Sequence, residues 1–412
     1  MVWAIGVDMD KQKFIRKPVI DKAEALQIHK EALVIDSQQP PATNGFLFTD
    51  TMKKQLDLYK EQAISQGVAF LLLSAQAANE IQTSESARKQ YLEFWQKSGV
   101  SIACGTYAGP GPIENSFEES VANIAQARSM IDAMSDNMKL ILSSGDIETV
   151  QSENKIGLII DFQNTTPFGD NLQRIDLFHN LGLRMCQLTY NNANLVGGGC
   201  TDINKTGLTN FGKSVVEKLN QLNIIVDVSH CSEEVGWDSM KISKSPVIVS
   251  HSSSSSLCYH DRGKTDTFAK AIADQGGFFG IVTIPGFIQD TYTATLDDVA
   301  DHIVHMTNVM GIDHVGIGTD KAGPGPGTDS MIEWPEGMTN DRLSSVIPGQ
   351  FNHTGFRLEE HRLTDDYKII GYNDFRDWPN ITIKLAERGF NETELRKILG
   401  LNYLRVFKEV VG

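Results

Sequence analysis

Short apolar runs alternate with stretches of helical spacing along almost the whole chain. Continuous apolar runs of this kind are typical of parallel strands that are buried on both faces. We expect strands at 32–36, 68–74, 101–105, 156–161, 183–190, 224–230, 246–251, 278–283 and 315–320. Between the runs, segments such as 212–222 and 267–275 have the spacing of amphipathic helices. The alternation of strand and helix predicts an α/β fold.

Several of the expected strands end in a polar or ionisable residue. These residues are Asp36, Asp161, Tyr190, His230, His251 and Asp320. Active sites of (β/α)₈ barrels are built from strand C-termini, whereas no GxGxxG or GxxxxGK[ST] turn supports a doubly wound sheet here. The pattern predicts a (β/α)₈ TIM barrel of the metal-dependent hydrolase type. Because nine runs exceed eight strands, we expect the run at 101–105 or at 32–36 to pair outside the barrel.

The chain has no internal repeat and no sign of a second domain. We therefore predict a single barrel domain over 1–412 with an N-terminal extension. A polar insertion around 322–378 starts with a Gly/Pro-rich stretch and has no clear periodicity. It is expected to form a lid over the barrel mouth or a subunit contact. An amphipathic helix is expected at 391–411.

The composition and charge of the chain indicate which kinds of binding partner are unfavourable. The formal charge of −15 and the pI of about 5.1 argue against a nucleic-acid partner, which would need a concentrated basic surface. The chain shows neither a secretory leader nor an apolar run of membrane-spanning length, so we expect a cytoplasmic protein that does not bind membranes. The five cysteines are odd in number and form no CxxC pair, which favours buried, reduced thiols.

Two histidines stand in nearly identical settings. His230 and His251 each follow a Val-Ser pair at the end of an apolar run. A lone histidine in such a place is usually a hydrogen-bonded structural residue. Neutral imidazoles converging on one barrel rim suit Zn²⁺, and Asp161 and Asp320 could add oxygen ligands or act as a base. The convergence of four such groups favours a metal site.

Three further features leave alternatives open. Arg262 has the planar fork that binds a carboxylate, but an ordinary surface ion pair is equally compatible with its position. Cys200, in a glycine-rich loop, is expected to be inert rather than a thiolate nucleophile or metal ligand. The serine run 252–256 lacks a Gly-x-Ser-x-Gly elbow and is expected to form hydrogen bonds within a loop.

The ordered motifs resemble the membrane (renal) dipeptidase family of amidohydrolase-type barrels from about residue 32 to 407. The matching segments are 171–172 (NL), 181–184 (LGLR), 187–190 (QLTY), 207–212 (GLTNFG), 226–230 (VDVSH), 246–251 (PVIVSH), Arg262, 276–277 (GG), 316–320 (GIGTD) and 402–407 (NYLRVF). In that family a His-Xaa-Asp pair after the first strand, a bridging Glu and two later histidines hold two zinc ions that support dipeptide hydrolysis.

The resemblance implies a role for each matching residue. His230 and His251 match the two later histidines, and Asp161 replaces the bridging Glu. Arg262 matches the arginine that holds the substrate carboxylate, and Asp320 matches the aspartate that accepts a proton. Tyr190 stands where the family has a histidine that contacts the substrate near its carbonyl. A homodimer is also implied by the resemblance alone.

The chain departs from the family at the first strand. Gln38 and Pro40 stand where the His-Xaa-Asp pair is expected. Glutamine is a weak neutral ligand and proline has no side-chain donor, so the resemblance is to a divergent branch with a reduced site. We expect at most one Zn²⁺ per chain, bound by Asp161, His230 and His251.

The leading hypothesis is a dipeptidase-like metallohydrolase. It would cleave an amide or peptide bond in a small carboxylate-bearing substrate, such as a dipeptide or an N-acyl amino acid. Asp320 would take a proton, Arg262 would anchor the carboxylate, and Tyr190 would hydrogen-bond the developing oxyanion. Two alternatives are a metal-independent lyase or isomerase on the same barrel and a non-catalytic protein that binds a small ligand.

Overall fold

The computed structural model describes residues 16–39, 47–108, 113–321, 334–339, 354–357, 359–363 and 368–412. The strands in these ranges are β1 (Ile35–Asp36), β2 (Ile102–Thr106), β3 (Met138–Leu140), β4 (Ile156–Phe162), β5 (Leu183–Gln187), β6 (Ile225–Asp227), β7 (Val247–Ser252), β8 (Phe279–Ile281), β9 (Thr293–Thr295), β10 (Val315–Ile317) and β11 (Lys368–Ile370). Eight of them are parallel neighbours in the order β1-β2-β4-β5-β6-β7-β8-β10.

The sheet closes on itself. The Ser37 backbone N–H, just after β1, donates to the Ile317 carbonyl of β10 at 3.0 Å. Helices flank the strands, so the prediction of a (β/α)₈ barrel is confirmed. Eight of the nine expected runs supply the eight barrel strands. Every strand C-terminus therefore faces the same rim.

The helices lie outside the barrel. They are α1 (Lys22–Glu31), α2 (Asp50–Glu61), α3 (Gln66–Thr83), α4 (Glu85–Ser98), α5 (Ser116–Ala133), α6 (Ser144–Glu153), α7 (Gln173–Leu181), α8 (Asn210–Gln221), α9 (Glu233–Ile242), α10 (Asp266–Asp274), α11 (Pro285–Ile288), α12 (Leu296–Met310), α13 (Trp378–Glu387), α14 (Glu392–Arg396) and α15 (Asn402–Val410). The side chains of Thr209, Ser232 and Thr265 cap α8, α9 and α10 by accepting a backbone N–H of the first turn. None of the described helices is both long and apolar enough to cross a membrane.

One predicted strand is wrong. The run 68–74 lies within α3, which starts after the N-cap Ser65. Ala69, Leu73, Ala77 and Ile81 are all fully buried, and their spacing of four is that of a helix stripe. A short apolar run does not distinguish a buried strand from a helix by periodicity alone.

The expectation that 101–105 or 32–36 pairs outside the barrel is therefore also wrong, since both belong to it. The strand outside the barrel path is β3, which pairs with β4. The short β9 and β11 form a separate parallel pair, and β11 lies inside the expected polar insertion. At the C-terminus, a π-helical turn at Lys397–Leu401 joins α14 to α15, close to the expected helix at 391–411.

Two apolar cores support the barrel. The larger one lies between the strands and the outer helices. The smaller one fills the barrel interior with side chains such as Ile102, Ile159 and Ile225, together with Tyr403 and Phe407 of α15. Since the Asn402 side chain donates to the Val315 carbonyl at the start of β10, α15 closes the N-terminal end of the barrel. Polar chemistry is thereby confined to the opposite rim.

Asp36 at the end of β1 is hydrogen-bonded to Thr319 after β10, and so links the first and last strands of the barrel. Its carboxylate accepts the Thr319 N–H at 2.9 Å, the Thr319 hydroxyl at 2.6 Å and the Trp378 indole N–H at 3.0 Å. The side chain is fully buried, and burial raises the pKa of Asp36 to about 6 against the lowering effect of these bonds. The expected polar strand end thus has a structural role in closing the barrel.

The Asp36→Ala variant is expected to lose about 3 kcal/mol of unfolding free energy, because the buried Thr319 and Trp378 donors lose their acceptor. Denaturant unfolding measures the loss. The matched control is Asp57→Ala, at an exposed position on α2, which should change stability by about 0.5 kcal/mol or less. Equal losses in the two variants would contradict the closing role of Asp36.

Candidate metal centre

Three candidate ligands meet at the rim above the apolar interior. His230 follows β6, His251 lies in β7 and Asp320 follows β10. One ligand atom from each lies within 4.8 Å of the other two. The register between β7 and β8 shifts between Val249 and Ser252, and Asp320 has a left-handed φ of +51°. Both irregularities redirect the chain where these side chains must converge.

The proton positions on the two imidazoles follow from their partners. Asn191 donates its amide N–H to the Thr354 carbonyl at 2.6 Å, so its oxygen faces His230 Nδ1 at 2.7 Å and accepts the proton there. The Ser250 hydroxyl donates to Asp227 at 2.6 Å, so Ser250 Oγ accepts the His251 Nδ1 proton at 2.8 Å. Each histidine therefore has a bare Nε2.

These two bare Nε2 atoms lie 2.8 Å apart. Burial lowers the pKa of both histidines well below the ordinary value, and the nearby Arg262 lowers it further. Two lone pairs facing each other in a buried site repel unless a cation lies between or beside them. The donor set, two neutral imidazoles with Asp320 Oδ2 at 3.9 Å from His251 Nε2, is one that Zn²⁺ accepts. The residues present therefore fit a metal ion.

Asp161 lies on the neighbouring part of the rim, outside the group of three. It lies one residue before the end of β4, where the register to β5 shifts, and its side chain is fully buried. Among the described residues neither carboxylate oxygen has a hydrogen-bond partner of normal geometry. Burial raises its pKa well above the usual range and Asp227 raises it further, while the nearby Thr106 and Gln38 side chains oppose the shift. An unpartnered buried carboxylate points to a cation, but its assignment as the third metal ligand stays a prediction.

Asp320 is the least buried member of the group, with 20% of its side chain exposed. Burial raises its pKa to about 7, while Arg262 opposes the shift. Its backbone N–H donates to the Gln38 carbonyl at 2.8 Å, which fixes its position above β1. A carboxyl group with a pKa near neutrality can exchange protons at physiological pH. Its expected role as proton acceptor is compatible with this environment.

Arg262 is fully buried, so an ordinary surface ion pair is excluded. Its guanidinium donates to the backbone carbonyls of Ser229 and His251, the latter at 3.2 Å. Its Nε has no partner, and no carboxylate in the described ranges forms an ion pair with it. Since a guanidinium carries five N–H donors, three are free for an anion. These N–H groups are available to bind a carboxylate, as predicted from the sequence.

Tyr190 and Phe356 form an aromatic wall over the site. Tyr190 stacks on His230 with ring centroids 4.2 Å apart, and Phe356 meets Tyr190 edge-on at 6.3 Å. Burial raises the pKa of Tyr190, so its phenol stays a donor at neutral pH. Phe356 belongs to the expected polar insertion. At least this part of the insertion covers the barrel mouth.

Of the two residues that depart from the family pattern after β1, the structure describes Gln38 but not Pro40. Gln38 is fully buried, and neither amide atom has a partner in the described part of the chain. Pro40 lies outside the described residues. The Gln38 side chain is close enough to Asp161 to lower its pKa. The amide thus lies beside Asp161, the carboxylate that the resemblance matches to the bridging Glu.

The sequence alone did not identify the residues that set the proton positions. Asn191 is the residue after Tyr190, and Asp227 precedes His230 by three positions. Asp227 accepts hydrogen bonds from the backbone and hydroxyl of both Ser229 and Ser250. The repeated Val-Ser-His motif was the available signal, because its serines bind this shared carboxylate.

The cysteine and serine expectations agree with the structure. All five cysteines are buried, and none of them forms a disulfide. Burial raises the pKa of Cys200, whose Sγ lies 3.3 Å from Asn191 Oδ1, which supports the inert interpretation. In the serine run, Ser252 donates to the Arg262 carbonyl, and Ser255 donates to the Lys264 carbonyl at 3.1 Å. These hydrogen bonds shape the loop that carries Arg262.

A parallel barrel with histidines and carboxylates at its C-terminal rim defines the class of metal-dependent hydrolase barrels. The sequence matches the membrane dipeptidase family (Peptidase family M19) over residues 16–333 and 364–411. The chain therefore belongs to this family, as the resemblance implied.

Curated relatives include Dipeptidase tcpJ of Claviceps purpurea, 26% identical over 309 residues, which cover 72% of this chain and 63% of the relative. An uncharacterized dipeptidase, C965.12, of Schizosaccharomyces pombe is 25% identical over 302 residues, 71% of this chain and 62% of its own length. The match thus spans less than two thirds of each relative.

Solved structures cover the fold more fully. An amidohydrolase from Pseudomonas aeruginosa superposes with a TM-score of 0.70 and 26% identity, covering 95% of this chain and 99% of that one. A metallopeptidase from Rhodobacter sphaeroides, solved with a phosphinate mimic of the dipeptide L-Ala-D-Ala, gives a TM-score of 0.66 at 16% identity, covering 92% and 99%. At 16% identity, the similarity to the Rhodobacter sphaeroides structure shows only that the fold is shared.

Replacing Asn191 with Leu should lower the affinity for Zn²⁺ by about tenfold to a hundredfold, because His230 loses the acceptor that keeps its proton on Nδ1. Competition with a chromophoric chelator measures the affinity. Asn204→Leu, at an exposed position in the same loop, is the control and should bind zinc like the parent. An unchanged affinity in Asn191→Leu would rule out this positioning role.

Proposed function

We propose that this protein is a dipeptidase-like metallohydrolase that cleaves an amide bond in a small substrate with a free carboxylate. The observation that carries the proposal is the convergence of two bare imidazole nitrogens and Asp320 at the barrel mouth. Family membership supports the reaction class. Dipeptides and N-acyl amino acids are the substrates that we propose.

Arg262 provides the anchor for the substrate. Its free N–H groups can bind a carboxylate in the bidentate geometry that a guanidinium favours. Because the arginine is buried and bound to two strand-end carbonyls, it holds the anion at a fixed position relative to His230 and His251. The Phe287 ring packs over the guanidinium, with its centroid 5.7 Å from Arg262 Cζ. This arrangement favours substrates with a terminal carboxylate.

The remaining groups act on the scissile amide. Asp320 takes a proton from the attacking water and can return it to the leaving nitrogen. The Tyr190 hydroxyl donates a hydrogen bond to the oxygen that becomes negative. Phe356 covers Tyr190 and His230 and so helps to exclude bulk water from the reacting atoms.

We propose a single Zn²⁺, held by His230, His251 and Asp161, with Asp320 beside it as the proton acceptor. A bound zinc ion supplies Lewis-acid polarisation of a carbonyl and lowers the pKa of water. The neutral Gln38 amide and the absence of a side-chain donor on Pro40 support the loss of the second metal. A homodimer and a cytoplasmic location stay predictions from the sequence.

Zinc content and dipeptide hydrolysis test the proposal together. Protein reconstituted with zinc should contain about one equivalent per chain, measured by elemental analysis. It should hydrolyse dipeptides, and exhaustive chelation should abolish the activity. In His251→Ala both zinc and activity should be lost, because a bare Nε2 is removed. His179→Ala, a partly exposed histidine on α7, is the matched control and should retain both.

Equal hydrolysis by the parent and His251→Ala would refute the metallohydrolase. Activity that survives complete removal of metal would favour the metal-independent lyase or isomerase class. Two tightly bound zinc ions per chain would contradict the reduced site while leaving the reaction class in place.

Arg262→Lys should change substrate selection. The lysine keeps the charge but loses the bidentate fork, so kcat/KM for a dipeptide with a free C-terminus should fall about thirtyfold or more. For the same dipeptide with a C-terminal carboxamide the value should change little. Each variant is assayed with both substrates, and the ratio of the two kcat/KM values is compared. This ratio does not depend on the fraction of the protein that is folded. A ratio equal to that of the parent would exclude Arg262 as the carboxylate anchor.

A further inference from the structure

A cavity lies on the outer side of the barrel wall, next to the part of the rim that carries Asp161. It has a volume of about 200 Å³ and is bounded by α4, α5, the end of β2 and the chain after β1. None of its lining residues belongs to the group formed by His230, His251 and Asp320. The exposed Asn123 and Gln126 of α5 stand at its solvent side.

The walls are aromatic and sulfur-rich. Tyr91, Trp95 and Tyr107 contribute rings, and Met130 and Met134 contribute thioethers. Among the described residues, no lining side chain is charged at neutral pH. Methionine and aromatic walls adapt to flat apolar molecules, whereas a charged ligand would be buried without a counter-charge. The cavity therefore favours a neutral ligand.

One of the polar residues that line this cavity is a deeply buried amide. Gln39 is 1% exposed, and its side-chain Nε2 has no hydrogen-bond partner in the described part of the chain. Its backbone N–H donates to the Cys104 carbonyl at 2.8 Å, which fixes the residue against β2. A buried N–H donor without a partner is costly. A ligand with one hydrogen-bond acceptor would satisfy it.

We propose that this cavity binds a small neutral aromatic molecule that carries one hydrogen-bond acceptor. An engineered cavity of ~150 Å³ holds benzene, so the space suits one ring with a short polar substituent. The ring lies between the aromatic and methionine walls, and the acceptor meets Gln39 Nε2. A dipeptide, with its two charged termini, is excluded from this cavity. The ligand is therefore distinct from the proposed substrate.

Acetophenone and ethylbenzene are suitable probes, because they have nearly the same shape and only acetophenone has an acceptor. Zinc-reconstituted protein with ¹³C-labelled methionine methyl groups reports binding by NMR titration. We expect saturable shifts of the Met130, Met134 and Met138 methyl signals. Acetophenone should bind roughly five- to tenfold more tightly than ethylbenzene. No saturable shift with either probe would overturn the proposal.

Two variants and one control locate the site. Ala127→Phe fills the cavity from α5 and should abolish binding of both probes, whereas Ala125→Phe places the same ring on the exposed side of α5 and should change neither. Gln39→Leu should remove the preference for acetophenone and leave ethylbenzene binding as it was.

Parent-like binding by Ala127→Phe would overturn the assignment to this cavity. If Ala127→Phe fails to fold, the Gln39→Leu comparison still decides. An unchanged preference for acetophenone in Gln39→Leu would overturn the role of the unpartnered amide.

Discussion

The candidate site depends on one electrostatic constraint, the meeting of two neutral imidazoles through bare nitrogens 2.8 Å apart. Asn191 and Ser250 hold the ring protons on the far side of each histidine. Burial prevents either ring from relieving the repulsion by taking up a proton. A cation satisfies the constraint. The shift in strand register at β7 and the left-handed backbone of Asp320 bring the ligands to that point.

The barrel separates the stabilising apolar core from the reactive rim. Its interior is filled by aliphatic side chains and closed from below by α15, while Asp36 joins the first and last strands just under the site. Several buried polar groups without a partner in the described residues, including Asp161, Gln38 and Arg262 Nε, lie at the rim. Natural proteins rarely leave such groups unsatisfied. Their concentration at one end marks where ligands are expected.

The two candidate sites differ in the chemistry they select. The barrel mouth combines buried cationic and anionic side chains and suits a charged substrate. The described residues that line the cavity outside β2 include no charged side chain, so this cavity suits a neutral ring. Gln38 and Gln39 are adjacent, and in the described part of the chain both Gln38 amide atoms and Gln39 Nε2 have no hydrogen-bond partner. Substitution of Gln38 and Gln39 is therefore expected to affect the barrel mouth and the outer cavity, respectively.

The sequence by itself determined the α/β class and the strand-end positions of His230, His251 and Asp320, because parallel strands leave long apolar runs that end in polar residues. It located eight runs that become barrel strands, but wrongly expected 101–105 or 32–36 to pair outside the barrel. It failed at 68–74, since a short apolar run fits a buried helix equally well. Only the tertiary structure decided the ring tautomers, the burial of Arg262 and the separation of Asp161 from the other three. These features depend on contacts between residues far apart in the chain, such as Asn191 with Thr354, and local patterns carry no record of such contacts.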